Sequence, residues 1–575
     1  MAIRSNEIID PTNTLIDTVL SGYKWDISAT NPTISLGVTN GALGLLGDPF
    51  PIDAELASAV LGVIAEDLER FLPIDFDPSS PGNSLVYVHP NALFSTADIT
   101  FSPYDPNGWA PLIYPSIIPR TLGMSEFPNP EFIEFEPGNP GVDVLLNQEI
   151  LSTLVPGQVG WGVMYHELGH ALGLKHPFSE MNGFTNFEGF GLERDPGTFI
   201  SMMSYEDPAE SSSDGYGGSA GYMALDILAL QELYGVREDF NTGDNLYDLS
   251  SYSASYGDIW YSLYDCGGLD TVSCSLAGES WTVNLSAGLA VTTANAKSGV
   301  WLVSNVSSLD GFLNKNETAY ENIVGSSYDD NLVGNSQGNI LNGGAGSDVM
   351  LGGAGNDTYY VDNTKDKVYE TTSTSSAKSA GGTDLVYSSV SLNLNAYTGV
   401  KFVENLTLTG SSNINATGNS LANKLTGNSK NNKLDGASGN DVLNGGAGSD
   451  FLTGGTGSDK VYGGSDKVRD VFDFNAISES KKGSSRDKVY DFRSKIDDLD
   501  LKGIDANTKV KGDQAFKFSG TKAAANSVWY ASKDVDGSTK TKDIIVYGDV
   551  NGDKKADFEI GLVGVTKLVA SDFIL

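Results

Sequence analysis

The chemistry of this chain is densest in HELGHALGLKH, His166 to His176. The 575 residues include four histidines, and all but His89 stand in this stretch. His166 and His170 are four residues apart, so on a helix both imidazoles leave one face and can grip one metal ion. Glu167 lies beside them, placed to take a proton from metal-bound water. Gly173 permits a sharp turn that brings His176 back towards the same ion. Three neutral imidazoles with an open fourth position describe a catalytic zinc site; a structural site would be closed by four protein ligands. A bare HExxH arises often by chance, whereas HExxHxxGxxH in a chain this poor in histidine does not.

A second pattern is made for a different metal. A nine-residue period runs through 325–360 as GSSYDDNLV, GNSQGNILN, GGAGSDVML and GGAGNDTYY. It returns through 418–462 as GNSLANKLT, GNSKNNKLD, GASGNDVLN, GGAGSDFLT and GGTGSDKVY. The glycine-rich half turns the chain through positive φ, and the D-x-apolar-x half makes a short strand whose aliphatic side chain enters a narrow core. Two units form one eighteen-residue coil of a parallel β-roll, with turn carbonyls and carboxylates as oxygen ligands for calcium. Turns on one side of such a roll recur every eighteen residues. Asp330 and Asp348 have that spacing, as do Asp441 and Asp459. Asp357 faces Asn339 and Asp450 faces Asn432, with one carboxylate each. Two strong calcium sites and several weaker ones are expected.

The elements that must position these residues follow from periodicity. DAELASAVLGVIAEDLERFL (53–72) has apolar positions on one helical face, with Asp53 as a cap. SLVYVHP (84–90) and ADITF (97–101) read as strands, and 102–150 as long Pro- and Gly-rich surface loops. The metal-binding helix covers 157–173, and MALDILALQELYG (223–235) is another helix. Between the repeat blocks, 363–417 reads as strands that continue or flank the roll; 463–474 reads as its exit and 475–575 as a strand-rich cap.

Composition narrows the function. The formal net charge is −38, which argues against nucleic-acid binding, since phosphate recognition needs a basic face. Residues 1–300 carry a net −31 and 301–575 a net −7. That anionic first half serves solubility through self-repulsion, or attracts cationic substrates and metal ions. No apolar run is long enough to cross a membrane, and the amino terminus shows no apolar core of a secretory signal. Cys266 and Cys274 could pair or stand as buried free thiols.

HELGHALGLKHP is similar to the zinc signature of the metzincin metallopeptidases, and MMSY (202–205) to their Met-turn. Together with the calcium nonapeptides, the chain resembles the serralysin group within peptidase family M10. YMALDILALQELYG, YDCGGLDT (264–271), DVNGDKKADFEIGLVG and the terminal DFIL carry the resemblance further. It is strongest at 161–236 and 320–575 and weak over 1–150. It implies that His166, His170 and His176 bind zinc and that Glu167 is the general base. Met203 would underlie the site, and Tyr205 would be a further zinc ligand that swings away to stabilise the oxyanion. Asp265 and Asp270 resemble calcium ligands of the group. No cysteine precedes the active site, so a cysteine-switch propeptide is ruled out. Residues 102–150 and 177–200 depart from the family pattern and flank the cleft, so substrate preference transfers least.

The expected architecture is an α+β metzincin catalytic domain followed by an all-β parallel β-roll with a C-terminal β module. Residues 1–20 are expected to be a propeptide or extension and 21–240 the catalytic domain. A strand-rich approach (241–324) leads to the repeats at 325–474, in blocks 325–362 and 418–474, and 475–575 carries a secretion signal. The expected function is zinc-dependent endopeptidase cleavage of extracellular proteins by a secreted monomer, with one catalytic zinc and several structural calcium ions. Its partners would be protein or peptide substrates and a type I secretion machinery. The alternative is a surface or adhesive repeat protein with a vestigial or narrowly specialised protease domain.

Overall fold

The computed structural model describes short strands within 3–147, a few positions between 63 and 72, and 159–174 without Gly173. It further describes parts of 201–304, and everything from 320 onward except 372–378, 397–398 and 539–541. The chain divides into two compact units, Met1–Asn322 and Ile323–Leu575.

In the first unit a four-stranded sheet has the order Leu36–Val38, Ile99–Tyr104, Val142–Asn147, Gly123–Ser125. The first three strands are parallel and the last is antiparallel. Two of them correct the reading of 102–150 as loops. VDVLLN is a short run rich in valine and leucine, and the surrounding Pro and Gly masked its strand character. The expected helix over 53–72 and strand over 84–90 lie mostly or wholly outside the described residues.

Helix α1, Val159–Ala171, runs along the strands Val142–Asn147 and Gly123–Ser125. It buries Trp161, Met164, Tyr165 and Leu168. Helix α2, Ala224–Tyr234, buries Leu225, Ile227, Leu228, Leu230 and Leu233. Both helices are apolar nearly all round, as expected of helices enclosed by their unit. The Tyr234 hydroxyl donates to the Leu172 carbonyl at 2.7 Å, tying α2 to the end of α1. Further on, Ile259–Asp265 pairs in parallel with Gly299–Ser304, and Leu246–Asp248 with Asp270–Ser273. Cys266 and Cys274 are both free thiols.

The second unit is a parallel roll. On one side Ile340–Asn342, Thr358–Val361, Leu385–Ser388, Asn405–Leu408, Lys424–Thr426, Val442–Asn444, Lys460–Tyr462 and Asp487–Tyr490 stack in parallel. Two parallel ladders serve the other side, one through Asn331–Val333, Val349–Leu351 and Lys367–Tyr369. The second runs from Leu392–Asn393 to Asp498–Asp500. In most three-residue strands the middle side chain points inward: Leu425, Leu434 and Leu443 are fully buried and Leu452 nearly so. Segment 363–417 therefore continues the roll, as its strand-like sequence predicts. The antiparallel strands Ser527–Ser532, Ile544–Gly548 and Phe558–Leu562 close the carboxy-terminal end.

The turns need positive φ, as at Gly446 (98°) and Gly448 (119°). Ala437, at 64°, holds a place that glycine takes in neighbouring repeats. Ala437→Gly is expected to raise the melting free energy of the calcium-loaded roll by about 0.5–1 kcal/mol, read from thermal unfolding.

Candidate functional site

Helix α1 sets the first site. His166 and His170 stand on one face with ring centroids 4.9 Å apart and planes at 89°. His170 Nδ1 lies 2.8 Å from the Leu174 carbonyl. A carbonyl can only accept, so Nδ1 carries the proton and Nε2 is the ring's electron-pair donor. That tautomer suits a zinc ligand, and the two imidazoles beside a carboxylate fit the ion's preference for nitrogen. Glu167 is 8% exposed, and burial pushes its carboxyl up to about 8. His176 and Tyr205 lie outside the described residues, so their approach to α1 is not part of this geometry.

Met203 is fully buried beneath α1. A Cβ added at Gly169 would collide with Met203 Sδ, so glycine at this place in HELGH lets the methionine approach the helix backbone. The turn is held from α2. Ser201 Oγ donates to Asp226 Oδ1 at 2.7 Å, and the Met203 amide donates to Ser201 Oγ at 3.1 Å. Asp226 Oδ2 also accepts the Met223 amide at 3.1 Å, capping the start of α2. Sequence reasoning missed this network because Ser201 and Asp226 are 25 residues apart and neither stands in a metal-binding pattern. Asp226→Ala is expected to cost about 1–3 kcal/mol of stability in the first unit by leaving buried donors unsatisfied, measurable by denaturant titration.

The second unit builds a ladder of carboxylates. Asp348 Oδ1 accepts the Asp330 amide at 2.8 Å, and Asp366 Oδ1 the Asp348 amide at 3.0 Å. In the later block the amides of Asn423, Asp441 and Asp459 donate in turn to Asp441, Asp459 and Asp487, at 2.7, 2.7 and 2.9 Å. The column ends where the Asp487 amide meets Ser480 Oγ at 2.9 Å. Opposite it, the amides of Asn432, Asp450 and Asp470 donate to Asp450, Asp470 and Asp497. That column ends where the Arg493 amide donates to Asp497 Oδ2 at 2.7 Å. Asn339 likewise donates to Asp357, Asp357 to Asp384, and Asp384 to Glu404.

One oxygen of each rung is used and the other is stranded. Oδ2 of Asp348, Asp357, Asp441, Asp450, Asp459, Asp470 and Asp487 is buried without a hydrogen-bond partner. At Asp348, Asp441, Asp450 and Asp459 it occupies space that a Cβ on the glycine five residues earlier would fill. Burial pushes Asp348, Asp441 and Asp470 up to about 7, Asp450 and Asp459 up to about 6, and Asp487 up to about 9. Stranded acidic oxygens lining a glycine cradle fit a hard oxygen-seeking cation such as calcium. Asp330 differs, since Ser326 donates from its amide and hydroxyl to the carboxylate. In the first unit Asp270 follows the ladder pattern. Its Oδ1 accepts the Asn245 amide at 2.8 Å, its Oδ2 is stranded, and its own amide donates to Glu321. Asp265 is instead satisfied by Gly267, Asn245 and Tyr247.

Spacing alone did not reveal Glu321, Asp384, Glu404, Asp470, Asp487 and Asp497, because insertions separate them from their rungs by 20 to 51 residues.

The model of the RTX calcium-binding nonapeptide repeat matches residues 324–359, 417–452 and 444–467. Serralysin B of Dickeya chrysanthemi is 29% identical over 41% of this chain and 49% of its own length. Serralysin of Proteus mirabilis is 32% identical over 28% of this chain and 35% of its own. The chain is a serralysin-like RTX protein. The serralysin-like chain spans about half or less of the length of these curated relatives, and the matches cover the repeat region. A solved subunit of the Azotobacter vinelandii mannuronan C5-epimerase is 25% identical over 27% of this chain and 78% of its own, with TM-score 0.20. Among the described residues no helix is long and apolar enough to cross a membrane.

Proposed function

We propose that the serralysin-like chain is a secreted zinc endopeptidase whose first unit is a metzincin-type catalytic domain and whose RTX roll is folded by calcium. The observation that carries this reading is the His166–His170 pair on α1, with the buried Glu167 next to His166 in the helix and Met203 packed beneath. His166, His170 and His176 would hold the zinc, which when bound polarises a carbonyl and acidifies water. Glu167 takes the proton of the attacking water and delivers it to the leaving amine nitrogen. The Tyr205 hydroxyl donates to the oxygen that gains negative charge. An intact buried base is what a vestigial domain would have lost.

The test is casein hydrolysis by the full-length protein. A zinc chelator should abolish it, added zinc should restore it, and His170→Ala should lose both the bound zinc and the activity. A fully active His170→Ala protein would refute the assignment.

Export by a type I machinery that reads the carboxy-terminal region is part of the same proposal. In the folded unit the terminal segment is not a free tail: Phe573–Ile574 pairs with Asp498–Asp500, and Asp572 accepts from Ser494 and Lys495 at 2.7 Å. Deleting 550–575 is expected to abolish export from a cell carrying that machinery. Secretion of the shortened chain at the full-length level would sink this part.

A further inference from the structure

Two carboxylates that the nine-residue pattern does not supply, Glu370 and Asp384, meet a nonapeptide aspartate, Asp357, inside the second unit. Ligand oxygens of Asp357, Glu370 and Asp384 all lie within 4.8 Å of one another, and all three residues are buried. Asp357 ends the turn of the last nonapeptide of the first block. Glu370 follows the strand Lys367–Tyr369, and Asp384 precedes the strand Leu385–Ser388.

Glu370 stands at a place where the roll otherwise demands glycine. Gly334 and Gly352 are eighteen residues apart, and Glu370 comes eighteen later. At Gly334 a Cβ would strike Asn339 Oδ1; at Gly352 it would strike Asp357 Oδ2 and the Tyr359 hydroxyl. The amides of Gly334 and Gly352 donate to Leu351 and Tyr369, seventeen residues on, and at 370 that spacing breaks. The Glu370 amide donates to the Gly399 carbonyl at 3.2 Å, and its own carbonyl accepts from Ala380 at 3.2 Å. The following rung is Asp384, 27 residues after Asp357 rather than eighteen. Glu370 thus extends a carboxylate into the column where the insert departs and returns.

The Tyr359 hydroxyl and the Asp384 carboxyl face Glu370, but among the described residues no cation does. Both Glu370 oxygens, Asp357 Oδ2 and the Tyr359 hydroxyl are buried without a hydrogen-bond partner of acceptable geometry. Glu370 and Tyr359 are fully enclosed and Asp357 is 1% exposed. The ion pairs among the described residues engage none of the three acids. An unpaired buried carboxylate is costly, and three together are untenable as anions without a counter-charge. Burial and the neighbouring carboxylates push Glu370 up to about 10 when no ion is present.

We propose that Asp357, Glu370 and Asp384 together bind one calcium ion, with Glu370 as a ligand that the repeat pattern does not supply, and that this ion ties the strand Lys367–Tyr369 to the strand Leu385–Ser388. The donor set is all oxygen, so zinc, which favours nitrogen and sulfur, is a poor match. Calcium tolerates irregular oxygen cages, whereas magnesium demands near-ideal octahedra and gives up water reluctantly.

The experiment compares full-length wild type with Glu370→Gln, which keeps the side-chain shape. After equilibrium dialysis against calcium, the variant should retain one calcium fewer per chain. It should also be cut faster by trypsin at Lys365 or Lys367. Unchanged calcium content would overturn the site and leave a cluster held by shared protons only. Should Glu370→Gln fail to fold, wild-type crystals grown with calcium decide. An anomalous peak among the three carboxylates supports the site; peaks elsewhere in the roll but none here overturn it.

Discussion

Replacing Glu167 by glutamine is expected to lower kcat/KM for casein by about 10²–10⁴-fold while the protein keeps its zinc. Glutamine preserves the length and burial of the side chain but cannot accept a proton, so the loss isolates proton transfer from metal binding. Folding should survive, because Glu167 is 8% exposed on α1 and the hydrophobic anchors Trp161, Tyr165 and Leu168 are untouched. The pH profile adds a second readout. Burial alone places the Glu167 carboxyl at about 8. A zinc ion beside it favours the ionised form, so the acid limb of kcat/KM in the zinc-loaded enzyme should fall below that value. The limb should vanish from the residual activity of Glu167→Gln. Equal rates for the two proteins would end the endopeptidase reading.

Removing calcium is expected to have the larger effect on stability. With the ion absent, the roll confines carboxylates whose second oxygens are stranded and whose folded-state pKa values lie well above those of an unfolded aspartate. Protons therefore bind the ion-free folded roll more tightly than the unfolded chain. Stability without calcium is greatest below about pH 4 as far as these groups are concerned, and falls as pH rises from about 4 to about 9. In chelator the strand signal of the second unit should be lost at pH 8 and partly kept at pH 5. Calcium at 1,000 times its Kd contributes about 4 kcal/mol per site, so a few sites match the whole stability of an ordinary domain. Since protons compete for the same oxygens, the calcium midpoint should shift upward between pH 8 and pH 5. Asp441→Asn or Asp459→Asn should raise that midpoint about tenfold or more at pH 8, equivalent to about 1.4 kcal/mol. Asp330→Asn should do less, because Ser326 already satisfies its carboxylate. Identical melting curves in calcium and in chelator at pH 8 would refute the account.

How far the site could be read from sequence depended on how local its geometry is. An i, i+4 pair on a helix is a one-turn relation, so His166 and His170 were legible with Glu167 between them. The roll was legible where one coil takes eighteen residues, because there sequence distance and spatial distance coincide. Asp384 and Asp487 sit on the same ladder but arrive after 27 and 28 residues. Glu370 was invisible for the opposite reason: it keeps the spacing but replaces the expected glycine. The strand Val142–Asn147 was hidden among proline and glycine, where composition outweighs a short apolar run.

The amide-to-carboxylate ladder has a direction. Along the buried columns the earlier coil supplies the N–H and the later coil supplies the acceptor, whereas at the exposed rim Ser347, Ser449 and Ser458 donate back to Asp329, Asn431 and Asn440. In the columns the exceptions are the last rungs, closed by Ser480 and by the Arg493–Asp497 turn. The buried columns therefore have one fixed stop, at their carboxy-terminal end. A chain emerging tail-first would meet that stop before any repeat, and each coil that followed would find its acceptor already in place.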